Sequence, residues 1–189
     1  MCCATKTKIS STLMELLRER PLRKITVQDI MERTGMKRQS FYYHFQAVEQ
    51  VLRWSVHTHL RQTLRYVEDE RYEDWCLRAL EELKEQDLLY RAACDALGRS
   101  AVLEELGEIS RPQLCALMLD EAYPDWEALS EQQRFAVGFF DRALNNALLD
   151  SLICEEAEEQ ERNGLYARTL SRFLPARSAM RYMPSVQVS

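Results

Sequence analysis

A short stretch of the sequence, Lys37-Arg-Gln-Ser-Phe-Tyr-Tyr-His-Phe45, concentrates side chains that can bind nucleic acid. Basic, polar and aromatic groups of this kind contact phosphate oxygens and base edges. A short helix that carries them and is held against a neighbouring helix fits the DNA major groove. The candidate DNA-binding residues in this stretch are Lys37, Arg38, Gln39, Ser40, Tyr42, Tyr43 and His44.

The preceding residues predict another short helix and a tight turn. Thr26 and Asp29 have the spacing of a capping box, in which the hydroxyl and the carboxylate each accept a backbone N–H. A helix is therefore predicted to begin near Val27. It ends about Thr34, because Gly35 stands where a chain that leaves a helix often needs a positive φ. Two short helices joined at Gly35 are typical of a helix-turn-helix.

The second of these helices separates a packing face from a free face. Phe41 and Phe45 are four residues apart and therefore lie on the same face. The pairs Arg38/Tyr42 and Gln39/Tyr43 run along the other side. The pattern predicts that one face packs against the protein while the other is free to bind.

Residues 5–52 resemble the amino-terminal three-helix domain of the TetR-type transcriptional regulators, most strongly from Ile25 to Phe45 and further into Val51 and Leu52. Two positions depart from the family pattern. Val48 replaces the usual Lys that opens the fourth helix, which argues against a phosphate contact there, and Thr34 replaces the usual Ala before the turn Gly. The resemblance implies phosphate contacts for Thr26 and Tyr42, base-edge contacts for Arg38, Gln39 and Ser40, and places at the phosphate backbone for Tyr43 and His44.

The nine residues from Lys37 to Phe45 are also similar to the recognition stretch of the subgroup that regulates dihydroxyacetone kinase operons. This similarity implies an alternative to repression, namely activation of transcription together with a partner protein.

Each of these residues also has a purely structural interpretation. Lys37 and Arg38 could be ordinary surface charges, Tyr42 and Tyr43 could cover the core, and His44 could be a half-buried core histidine. The position of the two basic residues at the head of the second helix favours DNA binding.

The charges are divided unevenly along the chain. Residues 1–61 hold eleven Lys and Arg against five Asp and Glu, a net charge of +6, whereas the remainder has a net charge of −11. A basic amino-terminal part is attracted to phosphate and an acidic remainder is repelled by it. The overall acidity therefore does not argue against DNA binding.

The fold class predicted from the sequence is all-α. Five Gly and five Pro in 189 residues leave little material for strands and turns. We expect a three-helix DNA-binding head over residues 1–46, a helical effector-binding and dimerisation body of about six helices over residues 47–174, and a poorly ordered tail over residues 175–189. A fourth helix from about residue 47 to 67 would join head and body without a flexible linker.

The body contains a strongly apolar helix that begins after a second capping-box candidate at Ser130 and Gln133. A last helix is predicted from about residue 155 to 174. The resemblance implies that these two helices pair with their copies in a second subunit. The candidate dimerisation residues are Phe135, Phe139, Phe140, Leu144, Leu148, Leu170 and Phe173.

No effector-binding residue is assigned in the body. Aromatic side chains could line a small-molecule cavity, but at helical spacing they are more often part of the core. Asn145 and Asn146 could hydrogen bond a ligand or a second subunit. The aromatic side chains considered are Tyr72, Trp75, Tyr90, Tyr123 and Trp126.

Several function classes are disfavoured by the sequence. We find no phosphate-binding loop, nucleophile-elbow pattern or zinc-spaced set of His and Cys, and therefore predict no catalytic residue, metal site or cofactor. His57 and His59 are two residues apart and diverge on a helix. The six cysteines are scattered, and the apolar runs fall short of the ~20 residues of a membrane helix. We expect a soluble protein of the reducing cytoplasm.

The sequence thus favours a homodimeric transcriptional regulator, most simply a repressor, that binds a pseudo-palindromic double-stranded DNA operator. A small-molecule effector or a partner protein would control it through the body. The alternatives are co-activation with a partner protein and a helical adaptor that binds no DNA.

Overall fold

The computed structural model describes residues 2–65, 72–119 and 125–153, and these ranges are helical, with no strand among them. This confirms the predicted all-α class. The α-helices in the described ranges are α1 (Cys2–Glu19), α2 (Val27–Thr34), α3 (Arg38–Tyr42), α4 (Val48–Thr63), α5 (Tyr72–Lys84), α6 (Asp87–Leu97), α7 (Arg99–Leu119) and α8 (Glu131–Ile153). Short 3-10 helices occupy Leu22–Lys24 and Trp126–Ala128. The predicted last helix and tail lie outside the described residues.

The chain divides into two compact units. Unit 1 comprises Met1–His59 and Gln86–Val102, and unit 2 comprises Leu60–Glu85 and Leu103–Ser189. The predicted boundary between head and body at residue 46 falls inside unit 1 and remains a prediction. Within the described ranges, no helix has both the length and the apolar character that crossing a lipid bilayer requires.

Unit 1 is built on the apolar faces of α1 and α4. Ile9 and Leu13 of α1 and Val51 and Leu52 of α4 are completely buried, as the helical periodicity predicts. The sequence did not predict that α6 packs against α1. The hydroxyl of the buried Tyr90 in α6 lies 2.7 Å from Nδ1 of His59. The aromatic ring at position 90 is therefore a core residue with a satisfied polar end.

In unit 2, α5 contacts α8. The side of α5 that carries the completely buried Trp75 faces the core. The indole Nε1 donates to the backbone oxygen of Leu64 at 3.3 Å. The guanidinium of Arg78 donates to the backbone oxygens of Thr63 and Arg65 at 2.8 and 3.0 Å. These hydrogen bonds supply donors to the carbonyl of the last residue of α4 and to those of the two residues that follow it.

A buried polar cluster joins α7 to α8 inside unit 2. The carboxylate of Asp141 accepts hydrogen bonds from the Ser110 hydroxyl, from Asn145 Nδ2 at 3.0 Å and from Arg111 at 3.2 Å. The Arg111 guanidinium also lies 5.5 Å from the ring centroid of Trp126. Because a buried carboxylate is costly unless it is paired and hydrogen bonded, these donors account for its place in the core.

The two capping boxes predicted from the sequence are confirmed. The Thr26 hydroxyl accepts from the Asp29 N–H at 3.2 Å, and the Asp29 carboxylate accepts from the Thr26 N–H at 2.7 Å. The corresponding bonds between Ser130 and Gln133 at the start of α8 are 3.3 and 2.9 Å long. Because each box supplies partners for backbone donors that the helix leaves unpaired, α2 and α8 begin at these residues.

The turn between α2 and α3 is set by Gly35, whose φ of 68° and ψ of 18° are left-handed. The chain closes with a hydrogen bond from the Met36 N–H to the Met31 oxygen at 3.2 Å. Thr34, which departs from the family pattern, assists the turn: its hydroxyl donates to the Met31 oxygen and accepts from the Met36 N–H. The predicted end of α2 at Thr34 is confirmed.

Replacing Asp29 with Asn should make the stability of the chain less dependent on pH. The Thr26 hydrogen bonds and the Arg20 guanidinium hold the pKa of Asp29 below its ordinary value of 3.8. Its contribution is therefore present above that value and is lost as the pH falls through the lower pKa of the folded state. Thermal unfolding should be measured from pH 7 to pH 2.5. The native chain should be more stable than Asp29→Asn at pH 7, and this difference in stability should shrink as the pH falls. A constant difference across this range would contradict the assignment.

Replacing Gly35 with Ala should lower the free energy of unfolding by about 1–2 kcal/mol, because a Cβ atom disfavours the left-handed conformation. No atom lies within 4 Å of the added Cβ, so the backbone angle alone is responsible. Gly138→Ala is the matched control, since it lies inside α8 and its Cβ would meet only the Arg142 side chain at 3.5 and 3.9 Å. That change should stabilise the chain by about 0.5–1 kcal/mol. Denaturant titration of both variants measures the change in the free energy of unfolding. Changes of the same sign in the two variants would refute the explanation.

Candidate nucleic-acid interface

The segment from Lys37 to Phe45, which we call the recognition segment, is anchored by two phenylalanines on its inner side. The exposed fraction of Phe41 is 0% and that of Phe45 is 4%. Their ring centroids lie 5.9 Å apart, and Phe45 also meets Trp54 at 6.1 Å. The predicted packing face of the segment is thus present, and it fixes α3 against the rest of unit 1.

The outer side of the segment is accessible. Tyr42 is 57% exposed and Tyr43 is 82% exposed, values that are unusual for large aromatic side chains. The Tyr43 ring meets the half-buried His44 ring edge to face at 4.9 Å. Lys37, Arg38 and Gln39 are exposed, and Ser40 is half-buried. The structure therefore brings the candidate residues onto one accessible surface, which we call the recognition surface: Lys37, Arg38, Gln39, Ser40, Tyr42, Tyr43 and His44.

Thr26 lies at the start of α2, where it is exposed but already hydrogen bonded. Its hydroxyl donates to the Asp29 carboxylate at 2.7 Å while it caps the helix. A phosphate contact from this hydroxyl would therefore require an exchange of acceptors. Val48, where the family pattern has Lys, is buried at the start of α4, so its side chain cannot contact a phosphate.

Two ion pairs attach α2 to the end of α1 and its following residue. Arg20 lies 2.8 Å from Asp29, and Arg33 donates to both oxygens of Glu19 at 2.6 and 3.1 Å. The Arg33 hydrogen bond is the main reason that the pKa of Glu19 lies below its ordinary value. Arg33 and Glu19 are exposed, whereas Arg20 and Asp29 are half-buried, so at least the first pair orients α2 more than it stabilises the fold.

Arg38 of the recognition surface is joined to α2 by two hydrogen bonds in series, an arrangement that the sequence did not predict. The Arg38 guanidinium donates to Gln28 Oε1 at 2.6 Å, and Gln28 Nε2 donates to Glu32 Oε1 at 2.7 Å. Gln28 and Glu32 are four residues apart on α2, so their own pairing had a signal in the sequence. The bond to Arg38 crosses the turn and had none.

The thiols of Cys76, Cys94 and Cys115 are at least partly shielded from solvent. Cys76 and Cys115 are buried and Cys94 is half-buried. Burial raises the pKa of the Cys115 thiol to about 11 and also raises the pKa of Cys94. These thiols therefore remain protonated near neutral pH, where thiolates are the reactive form.

Comparison with known proteins identifies the amino-terminal part of the chain. Residues 9–53 match the family described as bacterial regulatory proteins, tetR family. No curated protein matches the sequence of the chain.

Two solved structures share the fold. The dihydroxyacetone kinase operon activator DhaS is similar with a TM-score of 0.67 and 19% sequence identity, over 90% of this chain and 96% of DhaS. The TetR family repressor AlkX from Dietzia sp. strain DQ12-45-1b, described as implicated in biodegradation of n-alkanes, is similar with a TM-score of 0.53 and 18% identity, over 90% of this chain and 97% of AlkX. At this identity the likeness establishes the fold alone.

The matched residues contain the capping box, the Gly35 turn, α3 and the buried Phe41. The matching family is described as regulatory proteins, and the two neighbours are described as an operon activator and a repressor. Residues 9–53 are therefore similar to the helix-turn-helix domain of the tetR family, and the chain shares the fold of two solved proteins described as an operon activator and a TetR family repressor.

Proposed function

We propose that the chain is a cytoplasmic repressor that binds a pseudo-palindromic operator as a homodimer. The observation that supports this most directly is the recognition surface. Phe41, on the inner side of α3, is completely buried, while Arg38, Gln39 and Tyr43 are exposed on the outer side. An anchored helix with exposed basic, amide and aromatic groups has the chemistry that major-groove binding requires.

The proposed contacts divide into those that read bases and those that hold the backbone. Arg38, Gln39 and Ser40 face base edges, where an arginine forms its commonest specific contact with guanine. Tyr42 and Thr26 contact phosphates, and Lys37, Tyr43 and His44 lie along the backbone beside the groove. The net charge of +6 over residues 1–61 favours this end of the chain as the one that meets DNA.

Dimerisation is proposed to use the exposed part of α8. Phe135 and Phe139 are 69% and 55% exposed and lie four residues apart on one helix face. The other candidates on this helix, Phe140, Leu144 and Leu148, are buried within the chain itself. They would hold α8 in place within each subunit and would not contact the second copy directly. Leu170 and Phe173 lie outside the described residues. Two copies would place their α3 helices in successive major grooves, roughly 34 to 36 Å apart.

Control is proposed to act through the carboxy-terminal part of the chain. A ligand or partner protein that favours one separation of the two recognition helices would change DNA affinity, and DNA would change ligand affinity by the same factor. The second candidate function is co-activation with a partner protein. It is favoured by the similarity to the operon activator DhaS together with the stretch from Lys37 to Phe45.

Replacing Arg38 with Ala should weaken binding to the preferred DNA sequence by about 1–3 kcal/mol and relax the preference at one base position. The duplex for this test is selected by the native chain from a randomised pool, and affinity is measured by titration at several salt concentrations. Arg61→Ala is the control, because Arg61 is also exposed but is not among the proposed DNA-contacting residues, and it should leave the base preference unchanged.

The salt dependence separates a DNA-binding protein from an adaptor. The affinity of the native chain should fall steeply as salt rises, because phosphate binding releases counterions. If the native chain selects no sequence and shows no salt-sensitive affinity, the protein-binding adaptor is the better interpretation. If Arg38→Ala retains native affinity and base preference, the proposed role of Arg38 in base recognition is contradicted.

Replacing Phe135 and Phe139 together with Ala should raise the dissociation constant of the dimer by at least about tenfold, because each Phe contributes apolar area that dimerisation removes from water. Sedimentation equilibrium measures this change. Glu131→Gln, in the exposed first turn of the same helix, is the control and should leave the dimer intact. An unchanged dissociation constant in the double variant would exclude this face of α8 from the interface.

A further inference from the structure

We propose that Gln28 is a positioning residue for base recognition, which holds the Arg38 guanidinium in the orientation that reads DNA while Glu32 fixes the orientation of the Gln28 amide. This inference rests on the proposed function. It follows from the chain of two hydrogen bonds, 2.6 Å from Arg38 to Gln28 and 2.7 Å from Gln28 to Glu32.

The chemistry of the three groups fixes the direction of both hydrogen bonds. A guanidinium can only donate, an ionised carboxylate can only accept, and an amide offers a donor at one end and an acceptor at the other. Gln28 must therefore present Oε1 to Arg38 and Nε2 to Glu32. A flipped amide would set donor against donor and acceptor against acceptor, so the three residues form one ordered unit.

The turn at Gly35 creates this arrangement. Gln28 and Glu32 occupy successive turns of α2 on its exposed side, and Arg38 is the first residue of α3. Together with Met31, Gly35 and Met36 they line one shallow surface cleft. The hydrogen bond therefore connects the two helices of the helix-turn-helix at the residue proposed to read a base.

Holding Arg38 before DNA arrives has two physical consequences. An arginine side chain loses much rotamer freedom when it forms a base contact, so prior orientation reduces the entropy lost on binding. The bond to Gln28 uses one N–H of Arg38 Nη2, and the remaining N–H groups of the guanidinium stay available for guanine O6 and N7. The Glu32 carboxylate is linked to the Arg38 guanidinium through Gln28. Its negative charge attracts the guanidinium and so favours the orientation that the hydrogen bond to Gln28 holds.

A double-mutant cycle on Gln28 and Arg38 tests the proposal. With the full-length chain and its selected duplex, Gln28→Ala should weaken specific binding roughly 3- to 10-fold. It should reduce, without abolishing, the preference for one base at the position where Arg38→Ala relaxes it. The slope of affinity against salt should stay native, because no phosphate contact is lost. In the Arg38→Ala background, Gln28→Ala should have no further effect.

Two further variants separate positioning from general structure. Gln28→Glu keeps an oxygen acceptor for Arg38, so it should retain the base preference while the added negative charge lowers affinity for all sequences alike. Glu32→Gln should give a partial loss of preference, because a second amide no longer fixes the Gln28 orientation. Thermal unfolding of each variant verifies that the domain is folded.

The possible failures are distinguishable. Native affinity and preference in Gln28→Ala, with a normal loss in Arg38→Ala, would overturn the positioning role and leave the proposed function intact. An equal cost of Gln28→Ala with and without Arg38 would also overturn it, because Gln28 would then contact DNA independently. Absence of sequence selection by the native chain would instead remove the proposed function on which the inference rests.

Discussion

A helix of five residues has almost no stability of its own in water, because the first turn costs more conformational entropy than one or two hydrogen bonds return. The recognition helix α3, Arg38–Tyr42, is such a helix. It persists because Phe41 is sealed into unit 1 and the left-handed Gly35 fixes the direction in which the chain leaves α2. The proposed DNA recognition depends on this anchorage, since the exposed side chains have defined positions only while the inner side remains packed.

The polar contacts around this anchorage set orientation more than stability. The bidentate pair of Arg33 with Glu19 ties α2 to α1, and the bond of Gln28 to Arg38 ties α3 to α2. Exposed contacts of this kind contribute little to the free energy of unfolding. Their effect is directional: they align α1, α2 and α3 in series, so that the first residue of α3 has a preferred orientation before a ligand binds.

Unit 2 differs from unit 1 in that it buries a carboxylate, that of Asp141. Asp141 lies inside the contact of α7 with α8, and the Ser110 hydroxyl, Asn145 amide and Arg111 guanidinium replace the water that it loses. Such a cluster requires one register of the two helices, since a shift of either would leave the carboxylate unpaired. The same helix α8 thus has a polar inner contact and, at Phe135 and Phe139, an exposed apolar one.

The sequence alone determined the features that depend on neighbours within four residues: the Thr26–Asp29 cap, the Gly35 turn and the inward pair Phe41 and Phe45. Short-range spacing encodes these interactions directly. Tertiary structure alone decided which parts of the apolar stripe of α8 are buried, that α6 packs on α1, and that Gln28 meets Arg38 across the turn. These contacts join residues that are distant along the chain or separated by a turn, and helical periodicity specifies an apolar or exposed face without specifying the partner that meets it.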